Sequence, residues 1–232
     1  MGTLFQDRFD AGRILAEQLR HHAGDPSVLV LALPRGGVPV AFEIAQALAS
    51  PLDVFIVRKL GVPGCEELAM GAIASGGVRV LNEDVIRQLN IPESAIEAVA
   101  AEEAHELSRR EKIYRGDREP VQIQHHAVIL VDDGLATGAS MRAAVQALRR
   151  QNPASITIAV PVGSREICDK LRPEVDELIC GGTPEPFYAV GTWYSNFIQT
   201  TDEEVGRLLE RAEEAGRARQ APGRMEKIPA HG

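Results

Sequence analysis

Cysteine is scarce. Cys65, Cys168 and Cys180 are the only three among 232 residues, an odd number with no C-x-x-C spacing. That excludes a disulfide framework and a cysteine-type zinc module, and leaves each as a core or loop thiol. Aromatic residues make up only 4% of the chain. Basic residues are outnumbered, with Lys+Arg 25 against Asp+Glu 33 and a formal net charge of -8. A general nucleic-acid binder needs a basic face to neutralise phosphates, so no nucleic-acid partner is expected, although a local basic pocket remains compatible with this balance. No apolar run is long enough to span a bilayer, so no membrane partner is expected. The start, Met1 to Arg8, lacks the basic-then-apolar order of a secretory signal. The expected compartment is cytoplasmic. The common nucleotide loops G-x-x-x-x-G-K-[ST] and G-x-G-x-x-G are also missing, and no G-x-S-x-G surrounds Ser164.

What remains is an ordinary globular composition, 44% hydrophobic, in a chain that fits one domain. Residues 1–215 are expected to form that domain, and the polar segment 216–232, with Pro222 and Pro229, a frayed tail. Asp10 suits the cap of a first helix that ends at His21-His22, two histidines read as solvent-facing caps. Apolar runs at 28–33, 53–57, 128–131, 156–160 and 176–180 alternate with helical patterns at about 38–48, 139–151 and 165–171. Continuous apolar strands separated by helices predict an α/β fold: a mostly parallel five-stranded sheet with helices on both faces. Residues 61–72 are irregular and glycine-rich, and 72–74 with 78–81 form a candidate hairpin turning at Ser75-Gly76-Gly77. Residues 82–115 read as a helical insertion, capped by Asn82 and restarted at Pro92. Its amphipathic stripe is expected to serve as a lid or to pack against a second copy, giving a homodimer. A last helix follows, with Asp202 as its expected cap.

The stretch Val128-Ile129-Leu130-Val131-Asp132-Asp133-Gly134-Leu135-Ala136-Thr137-Gly138-Ala139-Ser140 carries the chemistry. An apolar strand ends in two carboxylates, and a small-residue loop opens a helix. Loop amides and a helix N-terminus converge on one place, where the helix dipole favours an anion. The carboxylates would repel a bare phosphate. They suit a ligand that also carries hydroxyls, or a Mg2+ ion, so a sugar phosphate fits both halves. A second strand–loop–helix unit ends in Pro34-Arg35-Gly36-Gly37. Both loops fall at strand carboxyl ends, where open α/β sheets place ligands.

The stretch at 128–140 closely resembles the phosphoribosyl-pyrophosphate (PRPP) motif of the type I phosphoribosyltransferases. The resemblance covers most of residues 28–200 and implies displacement of pyrophosphate from C1 of PRPP by a nitrogen nucleophile, with Mg2+ as cofactor. It implies that Asp132 and Asp133 hold the ribose hydroxyls as the catalytic pair, and provide any direct metal contact. Ala136, Thr137, Gly138, Ala139 and Ser140 would hold the 5′-phosphate. Arg35, Gly36, Gly37, Arg58 and Lys59 would hold pyrophosphate, although Arg58 and Lys59 also suit surface cations whose stems cover apolar area. In this family a mobile loop closes over the substrates, which the resemblance places at 61–77. Phe187, Tyr188 and Trp193 lie in an aromatic loop that suits either base stacking or anchorage of the loop to the core. Two departures bear on the acceptor. Pro161-Val162-Gly163-Ser164 lacks the lysine with which several purine-specific members read a 6-oxo group, and residues 61–77 contain neither lysine nor arginine. The partners expected are therefore PRPP and a small nitrogenous acceptor of unassigned identity. A PRPP- or nucleotide-sensing regulator without turnover, or a phosphatase acting through Asp132, are the alternatives.

Overall fold

The computed structural model describes residues 2–220. Strands β1 (Val28–Ala32), β2 (Leu52–Val54), β6 (Ala127–Val131), β7 (Ser155–Val162) and β8 (Glu177–Gly182) form a parallel sheet in the order β2-β1-β6-β7-β8. Successive side chains of a strand face opposite sides. Val28, Val30 and Ala32 therefore enter one apolar cluster and Leu29, Leu31 and Leu33 the other. This explains the uninterrupted apolar run of β1: both of its faces are buried. Helices α1 (Arg8–Gln18), α2 (Gly37–Leu48) and α7 (Asp202–Gln220) cover the first face through residues such as Leu15, Ile44 and Leu208. Helices α5 (Ala139–Arg149) and α6 (Arg165–Leu171) cover the second through Met141, Leu148 and Leu171. The expected five-stranded α/β architecture is observed.

The segment expected as one strand at 53–57 divides. After β2 the chain leaves the parallel sheet at Phe55-Ile56 and enters a separate antiparallel sheet of β3 (Val57–Val62), β4 (Cys65–Ala74) and β5 (Val78–Leu81). Ser75 fixes the crossing: its N–H donates to Ile56 O at 2.9 Å and its Oγ accepts from Ile56 N–H at 3.0 Å. Residues 61–72, expected to be irregular, instead form the β3–β4 hairpin, which turns through Gly64 at φ +78°. The pairing register shifts at Gly61, where a side-chain Cβ would stand 2.9 Å from Glu66 O. A glycine at a bulge is what disguises this strand in the sequence. The β4–β5 turn at 75–77 falls where expected.

Helix α3 (Glu83–Gln88) is capped by Asn82, and α4 (Glu93–Arg115) starts after Pro92. The apolar stripe of α4 is filled by this chain itself: Ile96, Ala100, Leu107 and Tyr114 join the first cluster beside β3 residues and α7. It is a core stripe, where a lid or second-copy surface was expected. Two caps also differ. Asp7 caps α1, accepting from Asp10 N–H at 2.8 Å, and Asp10 answers by accepting from Gln6 N–H at 3.0 Å. Thr201 Oγ1 accepts from Glu204 N–H at 3.1 Å at the start of α7, so Asp202 lies inside the first turn. Helix α7 runs to Gln220, which makes 216–220 helical where a tail was expected; 221–232 lie outside the described residues.

One ion pair ties α4 to the edge of the parallel sheet. Arg115 Nε lies 2.9 Å from Asp53 Oδ1, with each side chain only 8% exposed. Arg115 also donates to Val54 O at 2.8 Å, and Asp53 accepts from Val121 N–H at 3.2 Å. Removing one partner of a buried pair strands the other charge. Arg115→Met is expected to lose about 3–5 kcal/mol in urea unfolding, and a loss under about 1 kcal/mol would contradict this.

Candidate functional site

Strands β1 and β6 are parallel neighbours, with Ala32 beside Val131, so their two following loops must emerge side by side. The glycines set how closely. A Cβ on Gly37 would stand 2.7 Å from Val131 O, and one on Gly36 would overlap the Asp133 carboxylate, 2.6 Å from its Cγ. The 34–37 loop therefore lies directly on the Asp132-Asp133 corner, and only glycine permits it. The Pro34–Arg35 peptide bond in this loop is cis.

The loop at 134–138 is anchored at one point and open elsewhere. Leu135 N–H donates to Val162 O at 2.9 Å, and Leu135 O accepts from Ser164 N–H at 2.9 Å, which fastens the loop to the end of β7. Gly138 has φ +71° and caps α5; a Cβ there would meet Ile167 Cγ2 at 2.6 Å. Ala136, Thr137, Ala139 and Ser140 are exposed and line the open side, whereas Gly134 and Leu135 are buried and Gly138 is half-buried. The helix N-terminus of α5 is thus open to solvent beside Thr137 and Ser140, with Thr137 Oγ1 accepting from Ala139 N–H at 3.5 Å; first-turn amides of this kind suit an anion.

The carboxylates have unequal surroundings. Arg8, 9% exposed and the first residue of α1, donates Nε to Asp133 Oδ2 at 2.8 Å and NH1 to Ile198 O at 2.8 Å. Its guanidinium lies 3.8 Å over the Phe197 ring centroid. Tyr194 Oη donates to Asp133 O at 2.6 Å. Asp132 Oδ1 accepts from Asp133 N–H at 2.8 Å, while its Oδ2 has no hydrogen-bond partner among the described residues. Burial pushes both carboxyls above the ordinary range; Asp133 pushes Asp132 further, while Arg8 opposes burial at Asp133. Asp133 is the ion-paired member, and Asp132 is the one with an oxygen to offer. Burial, and then the Asp133 charge, raise the Tyr194 phenol, which stays a donor.

The expected pyrophosphate cations all hold acidic or carbonyl partners. Arg58 Nε lies 2.6 Å from Glu103 of α4, and Lys59 Nζ donates to Glu67 O at 3.2 Å. Arg35 lies 3.6 Å from Asp202, which also accepts from Tyr114 Oη at 3.0 Å. Burial, followed by that contact, lifts the Tyr114 phenol to about 12. The aromatic loop divides. Trp193 is 6% exposed in a small cluster with Phe5, Val162 and Tyr194, and Phe187 stacks on it at 6.5 Å. Of the two roles open to Trp193, its burial matches the core anchor and leaves no face free for a base; Tyr188 is 79% exposed. Arg8, Tyr194, Phe197 and Glu103 were not singled out in the sequence as site residues. Only the aromatic clustering at 187–197 hinted at two of them.

A family model described as phosphoribosyl transferase domain matches residues 65–180, half of the chain. The chain belongs to this family. Two Mycobacterium tuberculosis proteins, from strains CDC 1551 and H37Rv and provisionally named phosphoribosyl transferases, are each 48% identical over 209 residues. The match covers 90% of this chain and 47% of theirs, so the chain spans about half the length of these curated relatives. The crystal structure of TT1426 from Thermus thermophilus matches with a TM-score of 0.81 and 41% identity, over 91% of this chain and 99% of that one. Among the described residues no helix is long and apolar enough to cross a membrane.

The raised Asp132 has a measurable consequence. Between the ordinary carboxylate value and its raised value, the folded chain holds more protons than the unfolded one, so stability falls as pH rises through that window. Asp132→Asn keeps the acceptor for Asp133 N–H and removes the charge. It is expected to be more stable than the parent at about pH 8, with the gain shrinking as pH falls towards about 4 in urea unfolding. A loss at the higher pH, or a gain independent of pH, would contradict the raised value.

Proposed function

We propose that this chain is a phosphoribosyltransferase that binds PRPP across its two adjacent loops and transfers the 5-phosphoribosyl group to a nitrogen nucleophile, most simply a nucleobase, with release of pyrophosphate. The observation that carries this reading is the packing of Gly36 and Gly37 against Asp133 and Val131. It sets an open helix terminus, a carboxylate pair and a second glycine loop side by side at the carboxyl ends of two adjacent strands. Family membership supports the reaction class.

In this proposal residues 136–140 hold the 5′-phosphate through α5 amides and the Thr137 and Ser140 hydroxyls. Asp132 accepts from ribose hydroxyls through its free oxygen. Asp133, held by Arg8, supplies fixed negative charge beneath the ring, where cationic character develops at C1. Gly36, Gly37 and Arg35, with Arg58 and Lys59, receive the leaving pyrophosphate. Arg35 and Arg58 exchange their present carboxylate partners, Asp202 and Glu103, for phosphate oxygens. Such a site accelerates by positioning the reactants and by stabilising charge on the leaving group. Mg2+ fits the donors present, since Asp132 offers a carboxylate oxygen without a protein partner among the described residues beside the Arg8-paired Asp133, and hard cations take oxygen ligands. Bound there with substrate, Mg2+ would neutralise phosphate charge.

The test is pyrophosphate release from PRPP with Mg2+ over a panel of nucleobases and small amines. Release with at least one acceptor is expected. Asp132→Asn should lower kcat/KM by about a hundredfold or more, as loss of a group aimed at developing charge does. Gly36→Ala, whose methyl would displace the Asp133 carboxylate, should lower it comparably while leaving the far-UV spectrum unchanged. Binding of PRPP without release for any acceptor would favour a sensing role for the same site, and full activity in Asp132→Asn would remove the ribose assignment.

A further inference from the structure

The opposite end of the parallel sheet holds a second group of chemistry-bearing side chains. Helix α1 starts at Arg8, beside Asp133, and its 11 residues carry the chain about 16 Å along its axis. A short 3-10 helix, Arg20–His22, follows. There the exposed His21 and the half-buried His22 both approach Glu177, the first residue of the edge strand β8. His21 Nε2 lies 3.2 Å from Glu177 Oε1 and His22 Nε2 lies 3.0 Å from Oε2. The imidazole centroids are 4.1 Å apart with planes inclined at 40°. Candidate ligand atoms of all three residues lie within 4.8 Å of one another, the one such group of histidine, cysteine and carboxylate side chains among the described residues.

The carboxylate is held from below. Thr157, 3% exposed and the register partner of Glu177 on β7, donates its hydroxyl to Glu177 Oε2 at 3.3 Å. A buried hydroxyl that orients a carboxylate is the kind of outer contact that metal ligands carry. The histidines expected to be solvent-facing caps are therefore organised around one negative charge.

We propose that His21, His22 and Glu177 form a binding site for a divalent transition ion of the zinc class, distinct from the site at the carboxyl ends of the strands. Two imidazole nitrogens and one carboxylate oxygen make a set that suits zinc and disfavours magnesium, which asks for oxygen ligands and near-octahedral geometry. With zinc–ligand bonds of about 2.0–2.2 Å, tetrahedral ligand atoms stand roughly 3.3 Å apart. The His21–Glu177 and His22–Glu177 separations of 3.2 and 3.0 Å already match that spacing. His21, 54% exposed, leaves the outer side of the ion to water. An ion here staples the end of α1 to the edge strand β8, and so raises the stability of the folded chain by linkage.

The experiment titrates the full chain, stripped with a chelator, with Zn2+ in a non-coordinating buffer by calorimetry, and follows thermal unfolding with and without Zn2+. One equivalent and a raised Tm are expected, with no competition from excess Mg2+. Glu177→Gln and His22→Ala should each weaken binding about tenfold or more and abolish the Tm rise, and Thr157→Val should weaken it less. His21→Ala, at an exposed position that does not threaten folding, should behave as His22→Ala. His125→Ala/His126→Ala removes a second adjacent pair and should change nothing. Absence of binding, or affinity retained in His21→Ala and Glu177→Gln, would overturn the site.

Discussion

Two carboxylates side by side at a buried strand end are costly to keep ionised, and the rest of this structure is arranged around them. Burial pushes both towards protonation, and the Asp133 charge pushes Asp132 further. Arg8 offsets this most directly at Asp133, and in doing so fixes where α1 begins and where the 194–198 segment runs, because the same guanidinium bonds Ile198 O and covers Phe197. The glycine loop at 34–37 then closes over Asp133 with no space for a side chain. A fold seeking only stability would not place two acids there. The arrangement trades stability for a preformed pair of carboxylates at the corner between the two loops.

The local part of this was legible in the sequence. A strand that ends in Asp132-Asp133, a small-residue loop and a helix start are contiguous, and chemistry that is contiguous can be read by eye. The two loops could be placed together because both follow apolar strands, and β1 and β6 proved to be neighbours. What was hidden is non-contiguous. Arg8 meets Asp133 across 125 positions, and nothing in the α1 sequence distinguishes this buried arginine from one on the surface. The β3–β4 hairpin was hidden by glycines and by Glu66-Glu67, residues that depress strand propensity although the pairing tolerates them at a bulge. The role of Trp193 stayed open between stacking and anchorage because an aromatic residue in a loop gives no sign of which way it faces.

The cations were located in the sequence, but not their partners. Arg35 and Arg58 each sit against an acid delivered by a helix outside the ring of loops, Asp202 from α7 and Glu103 from α4. In a chain of net charge -8 this arrangement leaves both cations paired. It also connects the helical insertion to the proposed pyrophosphate side of the site, a connection that amphipathic periodicity alone could not reveal.

The measurement that bears most directly on the central claim is a calorimetric titration of the full chain with PRPP, with and without Mg2+. Saturable binding of one equivalent, strengthened by Mg2+ and lost in the Asp132→Asn/Asp133→Asn double variant, is the expected result. Failure to bind PRPP under both conditions, by a protein shown to be folded, would contradict a sugar-phosphate site at the Asp132-Asp133 corner.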